Sequence, residues 1–100
     1  MKRLMISLGF SAILALAAQP ALAECYADHK AKRGNPIDLL YGVIALPDSA
    51  CGSTEAAASE IAARIGIDGW TLLDVVSIFD ASGLDDEKRR ERAGDYYLRY

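Results

Sequence analysis

Residues 53–79 have the sequence STEAAASEIAARIGIDGWTLLDVVSIF, which predicts a helix followed by a strand. Ser53 is a favourable N-cap, the alanines after it have high helix propensity, and apolar residues recur every three to four positions as far as Ile65. Gly66 ends the helix, because glycine readily adopts the left-handed backbone common at helix C-termini. In residues 70–79 apolar side chains fall on both faces, which indicates a central strand covered on both sides.

Two segments upstream of this stretch predict a hairpin. Residues 37–46 are rich in β-forming side chains and stop at Pro47, and the turn sequence Gly-Asn-Pro at residues 34–36 precedes them. In residues 25–33 polar and apolar side chains alternate as in a strand, whereas the residue types favour a helix. Both structures remain open for residues 25–33, and a strand there completes the hairpin.

The chain downstream of the helix and strand predicts two more elements. Residues 85–92 begin with acids and end with bases, an order that suits the helix macrodipole and predicts a short helix, with a solvated loop as the alternative. Residues 95–100 are rich in tyrosine and predict a last strand. The fold class is therefore α+β: a small antiparallel sheet of three to four strands with one main helix on one face, in the order β-β-α-β-(short α)-β.

The N-terminal segment has the pattern of a cleaved secretion signal. Lys2 and Arg3 precede an uncharged apolar run, and Ala-Leu-Ala at residues 21–23 is a small-residue cleavage site. The apolar run has 15 residues, fewer than the roughly 20 that a membrane span needs. We therefore predict a signal peptide at residues 1–23 and a single small domain at residues 24–100, exported to the periplasm or the extracellular space.

The two cysteines, Cys25 and Cys51, both lie in the predicted mature domain. In an exported protein such a pair indicates one disulfide, whose loop of about 27 residues contributes roughly 3.5 kcal/mol in the chain-entropy model. That contribution matters, because a domain of 77 residues is only marginally stable. Lipidation of Cys25 is the alternative, although Glu24 stands where lipoprotein processing expects a small residue.

The predicted mature domain is acidic. Without Lys2 and Arg3 it keeps 9 basic residues against 14 acidic ones, which gives a formal charge of −5. This balance disfavours phosphate backbones and anionic lipid, so we expect no nucleic-acid partner and no stable membrane insertion after signal cleavage. The sequence has no phosphate-binding glycine loop, nucleophile elbow or calcium-loop spacing, so we expect no cofactor and no metal.

His29 is the only histidine and the main candidate for acid–base chemistry. Neighbouring residues on a strand point to opposite faces, so Asp28 is poorly placed to orient the imidazole, and we name no catalytic residue. Aromatic and basic side chains near the C-terminus are the remaining indication of function, because such side chains are enriched at interfaces. The expected interaction surface comprises Tyr97, Arg99, Tyr100, Arg89 and Arg90.

The tetrapeptide Gly-Trp-Thr-Leu at residues 69–72 stands at the start of the predicted strand that follows the helix. In this position it resembles a widespread family of small domains of unknown function, which run strand, helix, a strand that begins Gly-Trp-Glu-Leu, and a last strand that ends in Phe-Lys-Arg. The similarity extends from a first strand at residues 41–46 to the last strand at residues 96–100, with Thr71 in place of the usual glutamate. The resemblance implies the α+β topology and no particular activity.

These observations favour a non-enzymatic binding or interaction module with an unidentified protein or small molecule as its partner. A small periplasmic enzyme that uses His29 is one alternative. A structural or stress-related accessory protein of the cell envelope is the other.

Overall fold

The structure is a computed structural model that describes residues 23–100. The predicted signal peptide at residues 1–23 therefore lies outside the described residues, apart from Ala23. The elements in chain order are β1 (Cys25–Arg33), β2 (Asp38–Leu46), α1 (Thr54–Gly66), β3 (Thr71–Phe79) and α2 (Glu87–Ala93). Short 3-10 turns follow β2, β3 and α2, at Asp48–Ala50, Ala81–Asp85 and Gly94–Tyr96. This composition confirms the α+β class.

The three strands form one antiparallel sheet in the order β2-β1-β3. β1 and β2 pair along their whole length, from Cys25 opposite Leu46 to Arg33 opposite Asp38, which confirms the hairpin and settles residues 25–33 as a strand. The sheet therefore has β1 at its centre, flanked on one side by its hairpin partner and on the other by β3.

The prediction of a central, mostly covered strand at residues 70–79 is wrong, because β3 lies at the edge of the sheet. The register against β1 shifts twice, so that Leu73 and Val76 have no residue directly opposite them. The side chains of these two residues are largely exposed, at 51% and 44%. Part of the apolar content that suggested a covered strand therefore faces solvent at two bulges.

Alternation along the strands gives the sheet two faces. The first face carries Ala27 and Ala31 of β1, which lie opposite Ile44 and Leu40 in β2. Helix α1 packs on this face through its fully buried side chains, Ala57, Ile61 and Ile65. The predicted N-cap is confirmed, because the Ser53 hydroxyl oxygen accepts the Ala56 N–H at 3.0 Å. Burial of side chains such as Ile61 contributes about 1.5–3 kcal/mol each.

The predicted disulfide is present and joins Cys25, the first residue of β1, to Cys51 after the first 3-10 turn. It ties the open end of the hairpin to the segment that leads into α1. The bond occupies the Cys25 sulfur, which is the atom that lipidation would modify. The structure therefore favours the disulfide over the lipidated alternative.

The tyrosine-rich C-terminus is not the strand that residues 95–100 predicted. After a 3-10 turn it makes a single parallel bridge, Tyr97 to Val43, and the Leu98 N–H donates to the Val43 carbonyl at 2.8 Å. Aromatic packing explains the difference: the Tyr96 ring meets Trp70 edge-on at 5.7 Å and stacks on Tyr100 at 6.5 Å. The sheet therefore has three strands, the lower end of the predicted range of three to four.

The short helix predicted from the charge run is α2. Asp86 caps it by accepting the N–H groups of Lys88 and Arg89, and its last turn is basic, as the dipole argument requires. The helix reaches Asp28 on the second face of the sheet, opposite α1. No helix within residues 23–100 combines the length and apolar character needed to cross a membrane.

Candidate functional site

A buried carboxylate lies at the centre of the second face. Asp28, which is 3% exposed, accepts the Ser77 hydroxyl on Oδ1 at 2.6 Å and the Tyr41 hydroxyl on Oδ2 at 2.5 Å. The Arg89 Nε also donates to Oδ2, at 3.3 Å. Each strand and α2 thus supply one side chain to this Asp28 cluster, which consists of Asp28, Tyr41, Ser77 and Arg89.

The electrostatics of the Asp28 cluster favour a fixed ion pair over reactive chemistry. Burial alone would raise the pKa of Asp28, but the hydrogen bonds from its three neighbours outweigh burial and hold the pKa below its ordinary value. Burial and the adjacent carboxylate raise the pKa of Tyr41, so its hydroxyl stays protonated. A phenol with a raised pKa is a poor source of the nucleophilic phenolate at neutral pH, because activation of a nucleophile lowers its pKa. The cluster therefore clamps the three strands to α2.

Arg89 is held from several sides. Its guanidinium lies 3.9 Å from the Phe79 ring centroid, and its Nη1 donates to the Gly83 carbonyl at 2.7 Å. A Cβ at Gly83 would come 2.3 Å from the Phe79 ring, so the close approach of this loop requires glycine. These contacts fix the start of α2, and through it the position of the basic residues in the last turn.

A groove of about 350 Å³ opens beside the Asp28 cluster on the second face. Tyr41 belongs to both: its hydroxyl is bound to Asp28, while its ring lines the groove. Leu39 and Leu73 flank the opening and are 70% and 51% exposed. The groove is lined by Lys30, Ala31, Leu39, Leu40, Tyr41, Leu73 and Arg92.

The groove is positively charged, whereas the chain as a whole is acidic. Its only charged lining residues are Lys30 and Arg92, whereas the predicted mature domain has a formal charge of −5. The Arg92 guanidinium lies 5.0 Å from the Tyr41 ring centroid. Within residues 23–100 neither cation forms an ion pair with a carboxylate. Asp74 lies opposite Lys30 in the strand ladder, but outside the lining of the groove.

The structure separates the five residues predicted as an interaction surface. Arg90 lies 5.1 Å from the Tyr97 ring, and the Tyr97 hydroxyl donates to the Leu84 carbonyl at 3.4 Å, near the exit of β3. Tyr100 lies elsewhere, with its hydroxyl donating to Asp68 at 2.6 Å, and the Arg99 guanidinium lies 5.5 Å from the ring of Tyr96, which stacks on Tyr100. Arg89 belongs to the Asp28 cluster and is mostly covered. The five residues therefore do not form one continuous surface.

His29 points to the first face, away from the Asp28 cluster. It is 1% exposed, its ring lies against Gly42, and neither ring nitrogen has a hydrogen-bond partner within residues 23–100. Burial lowers the pKa of His29 to about 4, although the Asp28 charge acts in the opposite direction. The structure therefore does not bring His29 and Asp28 together as a catalytic pair, and the imidazole is closed to a substrate.

Sequence reasoning missed both the Asp28 cluster and the groove. The partners of Asp28 lie 13, 49 and 61 residues away along the chain, so no local spacing reveals them. Leu39 and Leu73 fall in predicted strands, where the local pattern does not distinguish exposed from buried leucines. Within the described part of the chain, no group of three or more His, Cys, Asp or Glu side chains is arranged to hold a metal ion.

Comparison with protein-family models, with curated proteins and with solved structures finds no match to this chain. The resemblance to the Gly-Trp-Glu-Leu domains therefore stays a prediction. In the structure the tetrapeptide at residues 69–72 does lie where α1 gives way to β3. The functional argument rests on the groove and its residues.

Proposed function

We propose that this protein is an exported, non-enzymatic binding module, and that the groove on the second face of its sheet is the binding site. The observation that carries the proposal is the pair of exposed leucines, Leu39 and Leu73, on either side of a groove whose surface is mostly apolar. Ligand sites in proteins are commonly clefts of 300–1,000 Å³, mostly apolar, with a few polar groups at fixed places. The groove fits the lower end of that range.

The groove is also built on rigid elements. Its floor and sides come from paired strands, and the Tyr41 side chain is held at both ends, by Asp28 at the hydroxyl and by Arg92 over the ring. A wall that is already ordered loses little conformational entropy when a ligand binds. This arrangement supports a preformed site over a surface that merely happens to be apolar.

Export is part of the same proposal. The N-terminal pattern and the disulfide both support a periplasmic or extracellular location, because disulfides persist in oxidising compartments. The enzyme alternative has less support, since the single histidine is buried without partners and the Asp28 cluster holds its hydroxyls protonated. A small-molecule partner is favoured over a protein partner, because a groove of about 350 Å³ lies in the volume range of small-molecule sites.

The test is an NMR titration with 1-octanol, an uncharged chain of nine heavy atoms. The ¹⁵N-labelled protein is expressed from its complete sequence, so that natural processing takes place. We expect amide shifts concentrated around Leu39 and Leu73, with a dissociation constant on the order of 10 mM from typical ligand efficiencies. Shifts that are absent or spread evenly over the surface would overturn the proposal.

A matched pair of variants strengthens the test. Leu73→Asp places a charge in the groove, whereas Ile67→Asp places the same charge at another exposed apolar residue, one that is 85% exposed and outside the groove. We expect octanol binding to be lost in the first variant and kept in the second. Leu39→Asp serves as a second groove variant, and the amide spectrum of each variant reports whether it is folded.

A further inference from the structure

We infer that the natural ligand of the groove is an anionic single-chain amphiphile, whose carboxylate binds between Lys30 and Arg92 and whose hydrocarbon chain lies between Leu39 and Leu73. This inference rests on the proposed function and deepens it. It concerns the chemical class of the ligand, which the shape of the groove alone does not select.

The polar side chains of the groove donate hydrogen bonds and have little capacity to accept them. Lysine and arginine carry donors only, and the Tyr41 hydroxyl is engaged with Asp28. A ligand head that consists of acceptors therefore matches the site, whereas ammonium and amide N–H donors would lose their hydrogen bonds to water without replacement. A carboxylate meets this requirement, because it has two acceptor oxygens and no donor when ionised.

The two cations give the groove its charge preference. Neither Lys30 nor Arg92 forms an ion pair with a carboxylate of residues 23–100. Asp74 lies opposite Lys30 in the strand ladder, so Arg92 carries the larger part of the uncompensated charge. The remainder of the predicted mature domain has a large acidic excess, so a local positive site is not a consequence of overall composition. Charge complementarity therefore favours one anionic group at the end of the groove where these side chains lie.

The size and lining of the groove favour a flexible hydrocarbon chain behind that head. Its volume of about 350 Å³ corresponds to roughly a dozen atoms of the size of water, at about 30 Å³ each. Its exposed apolar side chains are Leu39 and Leu73, and the Tyr41 ring adds to them, whereas the buried Ala31 and Leu40 belong to the first face. A peptide of similar volume would bring backbone N–H groups that find no side-chain acceptor here, whereas an alkyl chain brings none.

The experiment compares three ligands of nearly equal size by the same NMR titration: octanoate, 1-octanol and octylammonium. We expect octanoate to bind about fivefold more tightly than octanol, the upper end of what an exposed ion pair contributes, and octylammonium to bind most weakly. Equal affinity for octanoate and octanol would overturn the inference and leave the proposed function standing. Failure of all three to bind would overturn both.

Variants assign the preference to the two cations. We expect Arg92→Gln to remove most of the preference for octanoate while octanol affinity stays within twofold, and Lys30→Gln to do so in part. Lys88→Gln is the control, because it removes one exposed positive charge from α2 outside the groove. A preference that survives in the Arg92→Gln, Lys30→Gln double variant, or that falls equally in the Lys88→Gln control, would refute the placement of the head group.

Discussion

His29 makes the stability of this protein dependent on pH in a way that the structure quantifies. In the folded chain the buried, unpartnered imidazole has a pKa of about 4, whereas an unperturbed histidine has 6.5. The unfolded chain therefore binds a proton at pH values where the folded chain does not. Folding is favoured fully above pH 6.5, and this part of the stability is lost as the pH falls from 6.5 towards 4.

The size of this loss of stability follows from the thermodynamic linkage between proton binding and folding. Each pKa unit corresponds to about 1.4 kcal/mol, so the full loss is about 2–3 kcal/mol, and most of it appears between pH 7 and pH 4.5. A loss of this size is a large share of the 5–15 kcal/mol that stabilises typical domains. The 1% exposure of the ring justifies using the shift without a correction for solvent screening.

The assay is urea denaturation of the wild type and of His29→Leu at pH 7 and pH 4.5, with the disulfide intact. Carboxylates titrate in both proteins, so the difference between them isolates the histidine. We expect the wild type to lose about 2–3 kcal/mol more than the variant on acidification. Equal losses would refute the reasoning, as would an NMR titration in which the single imidazole of the chain titrates near pH 6.5.

Three further perturbations test the fold. Asp28→Ala leaves a guanidinium and two hydroxyls without their shared partner, and we expect it to cost about 3–5 kcal/mol of unfolding free energy in urea; a loss below about 1 kcal/mol would contradict the clamp role. Gly42→Ala would place a Cβ 2.9 Å from the His29 ring and 3.2 Å from the Tyr96 carbonyl oxygen, so we expect it to lower the unfolding free energy by about 1–3 kcal/mol. The control Gly52→Ala has open space around its Cβ and avoids this clash. Equal losses of unfolding free energy in the two variants would count against the packing of His29 on Gly42. Replacing Cys25 and Cys51 together by alanine should lower the unfolding free energy by roughly 3.5 kcal/mol, and an unchanged denaturation midpoint would show that the loop closure contributes nothing.

Local signals predicted the elements well because each was determined within a few residues. The Ser53 cap, the alanine-rich face of α1 and the acid-to-base order of α2 depend on hydrogen bonds and dipoles inside one or two turns. The hairpin followed from one turn between a segment that alternates as a strand and a segment rich in β-forming residues. The disulfide followed from the presence of only two cysteines in a chain with a signal pattern.

The features that sequence reasoning missed depend on contacts between distant segments. Residues 70–79 resemble a central strand, yet β1 takes the central position and β3 bulges outward at Leu73 and Val76. The C-terminal tyrosines have strand propensity, but Trp70 draws Tyr96 onto the first face and ends the ladder after one bridge. Tertiary packing overrides β-propensity in both cases.

The candidate site was beyond prediction for the same reason. The Asp28 cluster takes one side chain from each strand and one from α2, and the groove is lined in part by Tyr41, which the cluster holds, and by Arg92 of α2. The aromatic and basic residues near the C-terminus indicated an interaction surface, yet the structure distributes them over different sites. In the sequence, Leu39 and Leu73 are indistinguishable from core leucines.

The central claim is that the groove binds the hydrocarbon chain of an anionic amphiphile. The most direct measurement is a set of intermolecular NOEs between octanoate and ¹³C-labelled methyl groups of the protein. We predict NOEs from the octanoate chain to the methyl groups of Leu39 and Leu73, and none to Ile67, which lies outside the groove. NOEs to Ile67 instead of the two leucines, or no NOEs at saturating octanoate, would contradict the account.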